Sequence, residues 1–258
     1  MLSVLSIVSL LLLSSETVSS QSSSACPSYN ASKIKLVTFD CFAALMAWED
    51  SMFASVAEVL PYLSTNDVHT LVTKWENAYG AATNSVFEEG VTGAFPFSWH
   101  ISNSLKDIIR DMGLDISRDE FDALVKCWGK LTPWENTQET LEILADANYT
   151  IGALSNGDYY TLATAVSIFH TPVEFSHIFS SDFPAGVFKP QPAIYEPTKH
   201  IGFEVEEILH VAGGGNDASG ARDAGLFSAL LHKPPKDGKT EPCFVLNDIT
   251  ELPAVLGL

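Results

Sequence analysis

The sequence predicts an α/β protein: a mostly parallel sheet interrupted after its first strand by a long helical insertion. Three observations carry that expectation. Short apolar runs near 150–154, 177–181, 208–212 and 227–231 alternate with helical patterns near 158–168, 191–201 and 217–225. Such alternation builds βαβ units around a parallel sheet. One further apolar run, residues 34–39, stands far upstream, and between the two regions residues 45–132 are patterned as helices broken at Pro61, at residues 90–93 and at Gly113. With 258 residues, 46% of them hydrophobic, the chain can build one large domain or a core with an insert, and its hydrophobic share excludes disorder.

Taken in order, residues 2–13 are apolar but for three serines and run into SSETVSSQSSSA. Twelve residues suit a signal-peptide core better than a bilayer span, and Val18 and Ser20 offer a small-x-small cleavage site before Gln21. Residues 1–20 therefore read as a signal peptide and the mature chain as a secreted, extracellular glycoprotein, the alternatives being a disordered leader or a membrane anchor. Sequons at Asn30 and Asn148 fit the secretory route. The four cysteines are Cys26, Cys41, Cys127 and Cys243. Cys41 falls at a buried strand end and reads as a packed thiol, which leaves one disulfide among the other three, Cys26–Cys243 being the preferred pair. The seven histidines, His210 among them, are scattered, and no Cys or His cluster has zinc spacing.

The formal charge of −18, from 32 acids and 14 bases, excludes nucleic acid and, once the leader is gone, anionic membrane as partners. The strand at 34–39 ends on Asp40, before the insertion. After the insertion, Asn136-x-x-Glu139 reads as a capping box opening a helix with Leu141, Leu144 and Ala145 on one face. The next strands lead to Ser155-Asn156-Gly157, to Lys189 in KPQPAIYE, and to Gly213-Gly214-Gly215-Asn216-Asp217. Singly, each has an ordinary reading: Asp40 a strand-end cap or ion pair, Ser-Asn-Gly-Asp a turn, Lys189 a solvated charge. Together they place an acid, a hydroxyl, an amide, a lysine and a second acid at strand ends, where open parallel sheets build sites. Gly213-x-Gly215-x-x-Ala218 also fits a dinucleotide fingerprint, but it follows a late strand, and the next strand ends at Leu231-His232 without an acid for ribose.

VTFDCFAAL, LSNGD, VFKPQPAIYE and HVAGGGND, in that order and spacing, resemble the haloacid dehalogenase superfamily, most closely its 2-haloacid dehalogenase branch, over roughly residues 34–230. The resemblance implies a Rossmann-like core from residues 33–46 and 133–258 and a helical cap over residues 47–132. It implies Asp40 as nucleophile, Lys189 as its electrostatic support, and Asp217 as the group orienting the lysine or the water. Ser155 and Asn156 would donate to the substrate anion. Phe42 and Trp99 would contact substrate, with Phe95, Phe97 and Trp134 as further pocket aromatics. Phe42 stands where the superfamily's phosphatases carry a second Asp, and Gly214 cannot supply a magnesium ligand. No metal and no cofactor are expected.

The implied function is a metal-independent hydrolase of the 2-haloacid dehalogenase type, working through an ester on Asp40. Its partner would be a small-molecule substrate, most naturally a small organic acid; a homodimer is left open. Ala43-Ala44, Glu76, Ala212 and Gly214 depart from the family pattern. Two alternatives follow: a magnesium-dependent phosphatase, and a secreted binding protein that has lost turnover.

Overall fold

The structure, a computed structural model, describes residues 25–88 and 96–258. The leader, Phe95 and the predicted break at 90–93 lie outside the described residues. The described strands are β1 (Leu36–Phe39), β2 (Thr150–Leu154), β3 (Phe175–Phe179), β4 (Ile208–Ala212), β5 (Phe227–Leu231) and β6 (Phe244–Leu246). They form one sheet in the order β3-β2-β1-β4-β5-β6, with every neighbouring pair parallel. The inner strands β1, β4 and β5 are buried at every position. Their near-continuous apolar runs are what a sheet covered on both faces demands. The edge strands β3 and β6 are only partly buried.

Among the described residues, four α-helices fall between Met46 and Pro133: α1 (Trp48–Val59), α2 (Thr65–Glu88), α3 (Phe97–Met112) and α4 (Arg118–Lys126). Pro61 falls in the turn between α1 and α2, and Gly113 ends α3 in a left-handed conformation at φ 64°. That backbone favours glycine and lets the N–H groups of Gly113 and Leu114 satisfy the last carbonyls of α3. The chain leaves for these helices and returns at one point. Met46 and Pro133 form an antiparallel bridge, flanked by Ala47 N–H on Thr132 O and Trp134 N–H on Leu45 O.

The alternating half continues with α5 (Thr137–Asp146), α6 (Tyr159–Val166), α7 (Pro192–Tyr195), α8 (Gly215–Asp223) and α9 (Leu252–Val255). Three local expectations change. Asn136 precedes α5, but at φ 61° it is left-handed and makes no side-chain cap; a capping side chain reaches the third helical N–H only from extended backbone. The helix expected over 191–201 is α7 followed by a 3-10 turn, Glu196–His200. Pro197 accounts for that, since it offers no N–H to continue an α-helix. Strand β6 was not foreseen: three residues give no measurable alternation. Cys26 and Cys243 are disulfide-bonded, tying the start of the described chain to the segment before β6, while Cys41 and Cys127 are free and buried. Closing so long a loop restricts the unfolded chain.

Candidate active site

The order of strands reverses between β1 and β4, and in open parallel sheets the crevice at that reversal is where groups on neighbouring strand ends diverge to leave a site. Asp40 stands there. Its backbone N–H still bonds Val211 O of β4 at 2.8 Å, and then residues Cys41–Leu45 coil into a single π-turn capped by Asp40. The Asp40 carboxylate accepts from three donors on three segments. Ala43 N–H reaches Oδ2 at 3.0 Å; Ser155 Oγ and Lys189 Nζ reach Oδ1 at 2.9 and 3.1 Å. Oδ2 thus keeps the freer lone pairs.

Lys189 is aimed by its neighbours. Its backbone N–H donates to Asn156 Oδ1 at 2.7 Å, and its ammonium also donates to Asp217 Oδ2 at 2.7 Å. Burial opposes the charge on this lysine, but Asp217 and Asp40 more than offset it, so its pKa is raised. Burial likewise opposes the charge on Asp217, yet His210 and Lys189 hold its carboxyl well below the usual carboxylate range. Tyr195 donates to Asp217 Oδ1 at 2.8 Å, and burial together with Asp217 pushes that phenol well up. His210 Nε2 lies 3.0 Å from Asp217 Oδ2, and His210 Nδ1 lies 3.0 Å from Thr38 Oγ1.

Above this floor is a cavity of about 430 Å³. Phe42, Trp48, Tyr79 and Trp128 wall it, while Glu76, Lys233 and Lys236 stand towards its rim with residues 213–216. The wall is a packed aromatic group: Trp128 meets Phe42 edge-on at 5.8 Å and stacks on Trp48 at 6.0 Å, and Phe42 stacks on Phe97 at 5.2 Å. Such contacts add rigidity beyond area burial. Tyr79 of the helical insert and Asn156 of the core both line the cavity, Asn156 beside Lys189. The Glu76 carboxyl is raised, first by burial and then by Glu49, with Lys233 opposing.

The structure brings Asp40, Ser155, Asn156, Lys189, Asp217 and Phe42 together around one cavity. Trp99 is corrected: it is 42% exposed and outside this lining. Phe97 takes the inward face of α3, and Trp99, about 200° further round the helix, is turned away. Trp134 is also elsewhere; its indole N–H bonds Ala43 O at 3.2 Å and its ring lies against His232. Ser155, fully buried under the carboxylate, donates its hydroxyl to Asp40 rather than outward. Sequence reasoning missed Tyr195, His210 and Thr38 and the walls Trp48, Tyr79 and Trp128. A lone histidine inside an otherwise apolar strand was the one available signal for the buried trio.

A magnesium ion would need several oxygen ligands here. The donors do not suit it. Lys189 already fills the gap between Asp40 and Asp217, the latter's oxygens are held by Lys189, His210 and Tyr195, and residues 42 and 214 are Phe and Gly. No group of three His, Cys, Asp or Glu arranged for a metal occurs among the described residues. Gly213 is bare for a packing reason, since a Cβ there would lie 2.3 Å from the Ala43 backbone, whereas Gly214 faces open space.

Comparison with known proteins bears on family and fold. The haloacid dehalogenase-like hydrolase family matches residues 34–225. An (S)-2-haloacid dehalogenase of Pseudomonas putida is 24% identical over 179 residues, covering 64% of this chain and 78% of that protein. An (S)-2-haloacid dehalogenase 4A of Burkholderia cepacia is 23% identical over 220 residues, covering 79% and 94%. The L-2-haloacid dehalogenase structure from Xanthobacter autotrophicus superposes with a TM-score of 0.76 at 20% identity, over 87% of this chain and 98% of that one, a likeness of fold.

Proposed function

We propose, for a chain that belongs to the haloacid dehalogenase-like hydrolases, metal-independent hydrolysis of a small 2-substituted organic acid through an ester on Asp40. One observation carries the reading: a carboxylate held by Ser155, Lys189 and Ala43 N–H at the floor of an aromatic-walled cavity, with Phe42 rather than a second acid beside it. Asp40 Oδ2 attacks the carbon that bears the leaving group, whose bond breaks with the electron pair; water then cleaves the ester and restores the carboxylate. The wall excludes bulk water from the first step. Attack by Asp40 on a phosphoryl group would set anion against anion with Lys189 alone in contact with Asp40 among the described cations, which disfavours the phosphatase reading. The substrate class comes from what the (S)-2-haloacid dehalogenases among its relatives are named for.

The test is a screen of 2-haloacids for halide release and of phosphate monoesters for phosphate, in EDTA, with Asp40→Asn as control. Halide release that survives EDTA and vanishes in the variant is expected. Phosphate release restored by Mg²⁺ contradicts the reading. A second reading, binding without turnover, is favoured by one observation, the half-buried Glu76 carboxyl facing the cavity. Silence on both substrate classes from folded protein would select it.

We also propose export. The disulfide supports an oxidising compartment, and Asn30 and Asn148 are both exposed. Intact-mass analysis of natively expressed protein should find a chain beginning near Gln21 with a glycan at one of the two; Met1 retained without glycan rules this out.

A further inference from the structure

His210 and Thr38 are both fully buried, and they sit opposite each other in the register of the central strands β4 and β1. Polar groups at that depth cost free energy unless every donor and acceptor is met. Here the pairing also assigns one proton. Asp217 Oδ2 is a carboxylate oxygen that already accepts from Lys189 at 2.7 Å, so the 3.0 Å contact with His210 must be donated by Nε2–H. Nδ1 pairs with Thr38 Oγ1, accepting from its hydroxyl in a neutral ring and donating to it in a charged one, so both ring nitrogens are met in either form. One run of hydrogen bonds results: Thr38 with His210, His210 to Asp217, and Lys189 to both Asp217 and Asp40.

Asp217 is therefore pinned from three elements. His210 on β4 and Lys189 in the loop before α7 fix Oδ2, and Tyr195 on α7 fixes Oδ1. A carboxylate so held cannot rotate, and the direction of the Lys189 ammonium follows from it. We propose that His210, held by Thr38, is a positioning residue that aims Lys189 at the nucleophile through Asp217. This deepens the proposed function and rests on its assignment of Asp40 as the nucleophile. The role of Asp217 narrows accordingly: it anchors the lysine, and with its oxygens engaged it is a poor base for water.

The experiment uses full-length folded protein and two variants. Thr38→Val with His210→Phe removes both polar partners at nearly constant volume, so neither is left buried and unpaired, and such paired replacements preserve folds. His210→Gln keeps an N–H donor towards Asp217. The first readout needs no substrate: the ¹H–¹⁵N signal of the Lys189 ammonium, assigned by its loss in Lys189→Met. A slowly exchanging signal is expected in the parent and in His210→Gln, and its loss or broadening in the double variant with thermal unfolding intact. The second readout uses whichever acid the halide screen identifies. There kcat should fall about ten- to a hundredfold in the double variant while KM stays within about twofold, and His210→Gln should recover most of the loss. An unchanged lysine signal in the folded double variant overturns the proposal, as does a loss confined to KM. If the screen finds no substrate, the functional reading fails while the lysine signal still decides this one.

Discussion

The floor and the rim of the cavity are built differently. At the floor, Asp40, Lys189, Asp217, Tyr195, His210 and Thr38 form one buried run of hydrogen bonds. At the rim, Glu76, Lys233 and Lys236 stand around the cavity with no ion pair among them within contact distance, and Gly214 offers no side chain. The floor gathers groups from the strands β1 and β4, from the end of β1, and from the loop before α7, α7 and α8, all joined by hydrogen bonds. The rim is made by the insertion, by the turn from β4 into α8 and by the loop after β5, and its charged side chains are not tied to one another. Asp40 is thus held by a connected set of buried partners, whereas the side chains around the cavity mouth are free of one another.

Breaking the floor has the largest expected effect. Lys189→Met leaves the buried Asp40 and Asp217 facing each other without a cation. Unpairing a buried charge costs about 3–5 kcal/mol, so urea unfolding should shift by that order and turnover should disappear. A variant of near-parental stability would mean that the cluster is solvated and the floor is not distinct from the rim.

Changing the rim should do less, and in the opposite direction. Glu76→Arg replaces a repulsion by an attraction for an anionic substrate or leaving group at the rim. The gain is about 1–3 kcal/mol, read as a rise in kcat/KM for halide release. No gain would place the substrate's charge on the lysine side of the rim instead.

The smallest effect separates the two regions by pH. Asp217 is depressed and Lys189 raised, so the floor's contribution is present above the unfolded carboxyl value of about 3.9 and below the unfolded lysine value of about 10.4. It is lost only as pH falls towards the depressed Asp217 value or rises through the raised Lys189 value. Glu76 is raised, so the folded state binds its proton more tightly, and its effect on stability worsens as pH climbs above about 4.3. Glu76→Gln should match the parent's unfolding temperature near pH 4 and exceed it slightly at pH 7. Equal temperatures at both would show that Glu76 is fully solvated.

The parallel sheet was legible because buried central strands must be apolar throughout, and β2, β4 and β5 stand where the sequence placed them. The acid, hydroxyl and lysine of the floor were legible because motifs at strand ends need only the topology to meet. Tertiary choices were not. Phe97 and Trp99 are two aromatics on one helix, and only the packing against Phe42 selects which one faces inward. Asn136 has the composition of a cap without the backbone conformation for one. His210 looked like one of several scattered histidines because its partners, Thr38 and Asp217, come from other elements.

The central claim is an ester on Asp40, and a single turnover in ¹⁸O-water with EDTA present tests it most directly. Enzyme in excess over a 2-haloacid should carry label into the Asp40 carboxylate, found by peptide mass analysis, while the first 2-hydroxy acid released takes its new oxygen from the protein and is unlabelled. Label entering the product directly, with Asp40 unlabelled, would show that water attacks the substrate carbon rather than the carboxyl carbon of an Asp40 ester and would contradict the account.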